Sequence, residues 1–497
     1  MIEWTDLITG DRWRLSQDRY QHMLQAWTAK LTGRLPETIS TGDGVAALCD
    51  YLVRAEQPAP ETGEHTPFPI LLATGEVNEY TEALPPCPHA PGSYITDHSL
   101  QTSAIAFSLA WERHPGDRAL LDRVRLTALI HDWPVERRAT LLDKVGLATD
   151  ATLTGWLAML DAQRDVLEAM LAQREPDGLA YFGERCPPPD DETALILWAA
   201  HLAASEPLYT RWEETTEGQG RRFIERREEF VRHPLHQVGE RLGDPHIGLV
   251  LGGATKIKEY VFESSRLPEM RGASSLLDRL NRADIPALFG AQSREVSPGP
   301  ALLHAPECVI YANGGDVLAL VQTSKAQEIA DAIEQMYTDR TLIAQSVAAA
   351  GTFSLLELQY GLRPTEFWQE TFLATWQDEE LRPLLAGYYG RADDEQAAVD
   401  RFLRHKGFGE LATHLSLKRY WRREGNQGRW NGSGPNLEPR PLVRFETIPF
   451  GERCRSCDRR IATESVRVGD EQRHLCKPCE IKHRAGVQEK GRNSIQS

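Results

Sequence analysis

Apolar residues recur at threes and fours through SLQTSAIAFSLAW, RVRLTALIHDW and DETALILWAAHLAA, the period of helices with one buried face. That pattern predicts a helical region over roughly 93–235, and residues 1–60 read as helical too. Between them, residues 57–92 are rich in Pro, Thr and Gly (QPAPETGEHTPFP, ALPPCPHAPG), which reads as a loop excursion. From 246 the pattern changes. HIGLVLGG predicts a strand, SSLLDRLNR a helix, CVIYANGGDVLALV a hairpin, AQEIADAIEQMY a helix and GTFSLLELQYG a strand. The order βαββαβ is that of a ferredoxin-like split sheet. Residues 362–422 return to helix and end in the basic aromatic stretch LSLKRYWRR. REGNQGRWNGSGPN reads as a mobile loop, and PLVRFETIPF as a last strand leading into a cysteine cluster. The fold class expected is therefore α+β.

At 497 residues, with 41% apolar and 26% charged residues, the chain should form two or three globular domains. The start MIEWTDLITGDRW lacks a basic-then-apolar signal pattern, and no run of 18 apolar residues occurs. A cytoplasmic protein with no membrane segment is expected. A net charge of −16 argues against indiscriminate nucleic-acid binding and leaves room for a local basic groove. The stretch 453–497 is such a region, with 11 Lys/Arg against 6 Asp/Glu.

Four of the eight cysteines form two CxxC pairs, Cys454/Cys457 and Cys476/Cys479, with 18 residues between them. Two thiolates from each pair suit one tetrahedral zinc, and closed coordination by four sulfurs makes that zinc structural. A redox pair or two disulfides are the competing readings. Cys49, Cys87, Cys186 and Cys308 read as scattered buried thiols.

Asn313-Gly314-Gly315-Asp316 lies between two short apolar runs, where glycines accept the positive φ of a tight turn. A Gly-Gly-Asp tip also leaves room for phosphates and offers a carboxylate to a divalent cation. Arg271-Gly272-Ala273-Ser274-Ser275 reads as the opening of a helix. Its free N–H groups and hydroxyls could attract phosphate, or Ser274 could simply cap the helix. Lys256, Lys258 and Arg266 are either a phosphate-facing patch or a solvated basic face, while Tyr260 and Phe262 read as core. In the helical half, His131-Asp132 ends an apolar run, with His98 one helix earlier and His201 on a later apolar helix. Three candidates in order on successive helices point to a bound metal. Capped or core histidines are the alternative.

KIKEYVFESSRLPEMRGASSLLDRLN, YANGGDVLALV and PFGERCRSCDRR…HLCKPC resemble the large subunit, or CRISPR polymerase, of type III CRISPR effector complexes, over roughly residues 93–485. The resemblance implies an HD-like helical domain over 1–235, a ferredoxin-like first palm with a helical extension over 240–450, a zinc element over 451–485 and a tail over 486–497. It implies metal-dependent cleavage of single-stranded DNA at His98, His131, Asp132 and His201, with Mn2+, Ni2+ or Mg2+ there and Zn2+ at the cysteines. The partners implied are CRISPR RNA, other effector subunits and a second palm, since the chain stops where that palm would begin. ATP is a possible palm ligand through Gly314, Gly315, Asp316, Arg271, Ser274 and Ser275. The pattern also departs from the family at its sites. The hairpin carries one acid instead of two, Gly253 stands where a catalytic palm has an aspartate, WPVERR after Asp132 lacks the usual small residues and lysine, and His201 stands where such folds commonly place an aspartate. Two-metal chemistry needs carboxylates from both strand ends, so this palm is expected to be non-catalytic. A scaffold with a degenerate HD site, or a stand-alone nucleotide-sensing palm, is the alternative function.

Overall fold

The computed structural model describes residues 2–5, 12–15, 17–35, 39, 44–56, 87, 95–173, 178–208, 211–215, 218–222, 224–291, 301–424, 451–468 and 471–493. The loop expected over 57–92 (apart from Cys87), the glycine-rich loop after 424 and the strand PLVRFETIPF lie outside them. The fold is mixed α+β. Among the described residues, no helix is long and apolar enough to cross a membrane. Two compact units are distinguished: residues 1–247, 321–323 and 352–412, and residues 248–320, 324–351 and 413–497.

The first unit is mostly helical. Its start differs from the helical expectation, because β1 (Ile2–Thr5) pairs antiparallel with β2 (Arg12–Leu15). The alternation Arg12-Trp13-Arg14-Leu15 has the strand period of two, which a reading tuned to threes and fours passes over. A second hairpin, β3 (Arg211–Thr215) and β4 (Gly218–Arg222), likewise interrupts the region expected to be helical. One apolar core joins Met23, Trp27 and Leu31 to Leu48, Leu52, Leu126, Leu129, Trp133 and Leu141. Trp27 meets Trp133 edge-on, with ring centroids 5.8 Å apart.

The Glu192–Ala204 helix is buried on every side from Thr193 to Ala204. A helix apolar all round belongs at the centre of a bundle. Asp191 starts it by accepting from the Ala194 N–H at 2.8 Å. Nearby, His233 is fully buried, accepting from the Leu235 N–H at 3.2 Å and meeting the Tyr360 hydroxyl at 3.0 Å. That hydroxyl donates onward to the Leu208 carbonyl at 3.0 Å. Burial, with the neighbouring His236, depresses the His233 pKa to about 3.

The folded state therefore holds His233 neutral where the unfolded chain takes up a proton. Its stability is fully present above pH 6.5 and is lost as pH falls from 6.5 towards 3. We expect a loss of about 1.4 kcal/mol per pH unit in that window. Urea titrations of wild type and His233→Gln check it, since the variant should show a flatter pH dependence.

The second unit is built on a four-stranded sheet in the order β6-β7-β5-β8. These are β5 (His246–Thr255), β6 (Val309–Asn313), β7 (Asp316–Gln322) and β8 (Gln345–Ser354). The Leu267–Arg279 helix lies between β5 and β6 in the chain, and Ala326–Thr341 between β7 and β8. The last strand was expected to run through GTFSLLELQYG but ends at Ser354. There Ser354 and Glu357 form a capping box and turn the chain into the Leu355–Tyr360 helix.

The Leu267–Arg279 helix crosses the Lys477–Asn493 helix through two glycines. A Cβ at Gly272 would stand 1.7 Å from the Lys482 carbonyl oxygen, and one at Gly486 1.9 Å from that of Pro268. Gly272→Ala should therefore push the helices apart and cost about 1–3 kcal/mol or more. Gly239→Ala, in a helix with open space around the new methyl, should be neutral or gain about 0.4–1 kcal/mol. Thermal melts of both variants test the contrast.

Candidate metal centres

In the first unit three helices deliver imidazoles to one point. His98 lies in the first turn of the Ile95–Arg113 helix, His131 caps the end of Arg118–Ile130, and His201 is in the last turn of Glu192–Ala204. All three are 0–1% exposed. The His98 Nδ1–H donates to the Ala204 carbonyl at 3.2 Å, and the His131 Nδ1–H to the Ala128 carbonyl at 2.7 Å. Both carbonyls belong to helix C-terminal turns, which lack intrahelical donors and carry partial negative charge.

Those acceptors fix the tautomers, so the Nε2 atoms of His98 and His131 face inward as lone pairs, 3.3 Å apart. His201 Nδ1 completes the triangle, 3.2 Å from His98 Nε2 and 3.0 Å from His131 Nε2. Nitrogens about 2.0–2.1 Å from one ion, at angles of roughly 90–110°, stand about 2.9–3.4 Å apart. The observed triangle has that size. Asp132 adds a buried carboxylate, with Oδ1 3.3 Å from His131 Nε2 and Oδ2 3.6 Å from His98 Nε2.

Burial holds the His131 pKa below its ordinary value. Asp132 and the Ala128 carbonyl oppose that effect, and Arg164 and Arg138 add to it. The neutral imidazole is the form that ligates. The structure therefore brings together all four residues expected from the sequence.

Arg138 donates to the His131 carbonyl at 2.9 Å and to Asp161 at 2.5 Å. It braces the turn that holds His131-Asp132. A cavity of about 340 Å³ opens on the Asp132 side, lined also by Tyr20, Gln21, Gln25, Pro134 and Arg164. Sequence reading missed one neighbour. Cys87 Sγ, a His98 nitrogen and an Asp132 oxygen lie within 4.8 Å of one another, all buried. A lone cysteine in a proline-rich stretch carries no spacing signal by which to find it.

In the second unit Cys454, Cys457, Cys476 and Cys479 converge, all buried. The Cys457 and Cys476 sulfurs are 3.8 Å apart, far beyond a disulfide bond and equal to the edge of a tetrahedron with metal–sulfur bonds of about 2.3 Å. All four are free cysteines. Contact with the other three sulfurs pushes the Cys454 pKa down and those of Cys476 and Cys479 up. Holding all four as thiolates would need a cation among them. The cysteine group and the histidine group could each bind a metal such as zinc. Arg460 reaches the cysteine cluster, 3.9 Å from the Cys457 sulfur and 4.0 Å from that of Cys476, and is anchored on Glu263 at 2.5 Å.

No family model matches the chain, and no curated protein does. What these sites can do is read from their own geometry.

The nucleotide positions fare differently. Gly314 and Gly315 form the expected turn, with φ of 61° and 95°. Asp316, however, is engaged by the Arg419 guanidinium at 2.6 Å, which also reaches the Ala254 carbonyl at 3.3 Å. A cation already sits where a metal would have to bind. Gly253 has φ of 143°, and a Cβ there would be 2.0 Å from the Gly315 carbonyl oxygen. The hairpin tip lies against the strand and leaves no space for a side chain.

Arg271, Ser274 and Ser275 require a correction. The helix begins at Leu267, so these residues are in its interior and its free N–H groups lie earlier. The Ser275 hydroxyl donates to Glu489 at 3.2 Å. Arg266 donates to the Arg455 carbonyl at 3.1 Å instead of facing phosphate. Tyr260 is core as expected, under the Lys482 ammonium at 4.0 Å, whereas Phe262 is 63% exposed.

Proposed function

We propose that this chain is the HD and first-palm portion of a type III CRISPR large subunit, and that its histidine–aspartate cluster hydrolyses single-stranded DNA with a divalent cation. The observation that carries this reading is the inward-facing imidazole triangle with Asp132 beside it. His98, His131, His201 and Asp132 would hold the cation, which when bound supplies a Lewis acid and a water acidic enough to attack phosphate. The chain's own residues do the rest. Ala128 and Ala204 orient two imidazoles, Arg138 fixes the His131-Asp132 turn, and Arg164, paired with Asp161 and Asp165, lines the cavity beside Glu136. The cavity borders Asp132, so DNA would approach from that side.

The second unit supports a ferredoxin-like palm. Its order of elements is βαββαβ, and its central strand lies between the hairpin and the final strand. We read it as the non-catalytic palm, since position 253 has no carboxylate and Arg419 holds Asp316. Its role would be to support a second palm that makes cyclic oligoadenylate, within a cytoplasmic complex containing CRISPR RNA. Zinc would occupy the four cysteines as a structural ion.

The test is cleavage of circular single-stranded DNA by the purified chain. Manganese and nickel are supplied in turn, with the double substitution His131→Ala/Asp132→Ala as control. Cleavage that needs the cation and disappears in the control supports the proposal. Absence of cleavage, with no cation bound beyond the cysteine zinc, favours a scaffold.

A further inference from the structure

We propose that Cys87 is a thiolate ligand of the histidine–aspartate metal centre, entering on the His98–Asp132 side. The inference rests on the metal-site reading above and adds a ligand to it. Cys87 is 0% exposed, and its sulfur lies within 4.8 Å of a His98 nitrogen and an Asp132 oxygen, two groups already assigned to the centre. With metal–sulfur and metal–nitrogen bonds of about 2.3 and 2.0 Å, ligands at angles of roughly 90–110° in a five- or six-coordinate shell stand about 3.0–3.5 Å apart. Toward His98 and Asp132 a contraction of about 1.3–1.8 Å at most, within reach of a side-chain rotation, brings the sulfur to bonding distance of a shared ion.

Charge favours the same conclusion. Three neutral imidazoles and one carboxylate leave a buried dication half-compensated, and a lone buried charge is expensive. A thiolate at Cys87 makes the centre neutral. Its proton leaves to solvent as the metal binds, as for any thiol ligand.

The ligand set then chooses the metal. Sulfur with imidazole suits zinc, cobalt or nickel, whereas magnesium requires oxygen ligands in a near-octahedral shell and keeps its waters. The centre should bind the first group and reject magnesium.

Cobalt reports the thiolate directly, through a sulfur-to-cobalt charge-transfer absorption in the near ultraviolet. The full chain is prepared with the four-cysteine site filled with zinc and the histidine site emptied by mild chelation. One equivalent of cobalt is then added, with zinc content checked afterwards. The expected result is a charge-transfer band in wild type. Cys87→Ser should lose that band and bind cobalt about tenfold or more weakly. Cobalt bound by wild type without the band overturns the Cys87 assignment and leaves the histidine centre standing. No cobalt bound beyond the zinc overturns the centre itself. The wild-type spectrum decides between these outcomes even if the variant does not fold.

Discussion

Asp132→Asn is expected to leave the fold intact and abolish both the cation binding and the DNA cleavage proposed for the histidine site. The amide keeps the shape of the carboxylate, so the packing around Trp133 and Leu129 is preserved. What changes is charge. Asp132 places its two oxygens 3.3 and 3.6 Å from the imidazole nitrogens, and it is the carboxylate that borders both the cluster and the open cavity. Without it a buried dication has lost a charge partner. Loss of groups that merely orient ligands typically costs 10–100-fold, so loss of a ligand should cost at least about 100-fold in rate. Metal content by mass spectrometry, cleavage rate and thermal midpoint together decide the matter. A variant that keeps its cation and its rate would remove Asp132 from the centre.

The second large effect is expected at Cys476. Cys476→Ser removes one of four sulfurs from a cluster that ties the turn at Cys454–Cys457 to the start of the Lys477–Asn493 helix. Structural zinc in such sites contributes about 10–16 kcal/mol of binding free energy at neutral pH. That is comparable with the whole stability of a domain, about 5–15 kcal/mol. The Lys477–Asn493 helix is held by its packing on Leu267–Arg279 and by Lys482 on Glu263, but the part before it has only a short hairpin, β9 (Glu464–Val468) and β10 (Glu471–Leu475), and a few polar contacts such as Arg460 on Glu263. The variant should lose its zinc and become cleavable by protease between 451 and 493, while the histidine centre still binds cobalt. Resistance to protease equal to wild type would show that the cysteines fold without an ion.

The sequence reveals whatever depends on spacing and periodicity. The paired CxxC motifs, the Gly314-Gly315 turn and the long helices are local patterns, and the structure has them where expected. His98, His131 and His201 were visible because each sits in an apolar helix where an ionisable residue is out of place. Cys87 was not visible, because its relation to His98 is made by the fold. The helix containing Arg271 was read as starting four residues late, since Arg271-Gly272 resembles an opening. The true reason for Gly272 is a neighbouring helix more than two hundred residues away. Arg419 on Asp316 is equally non-local, and no pattern near either residue announces it.

The contact between Gly253 and the hairpin tip has an evolutionary consequence. A Cβ at 253 would meet the Gly315 carbonyl oxygen at 2.0 Å, and one at Gly315 would meet the Ile257 side chain at 2.6 Å. Gly253 is thus held by the backbone of the hairpin tip, and Gly315 by its positive φ and the Ile257 side chain, so placing an acid at 253 first requires the hairpin to move. No single codon change makes that journey without passing through a damaged sheet. Once a tip has settled onto its strand in this way, the glycine beneath it is locked in place. Substitution is then far freer around this contact than at it.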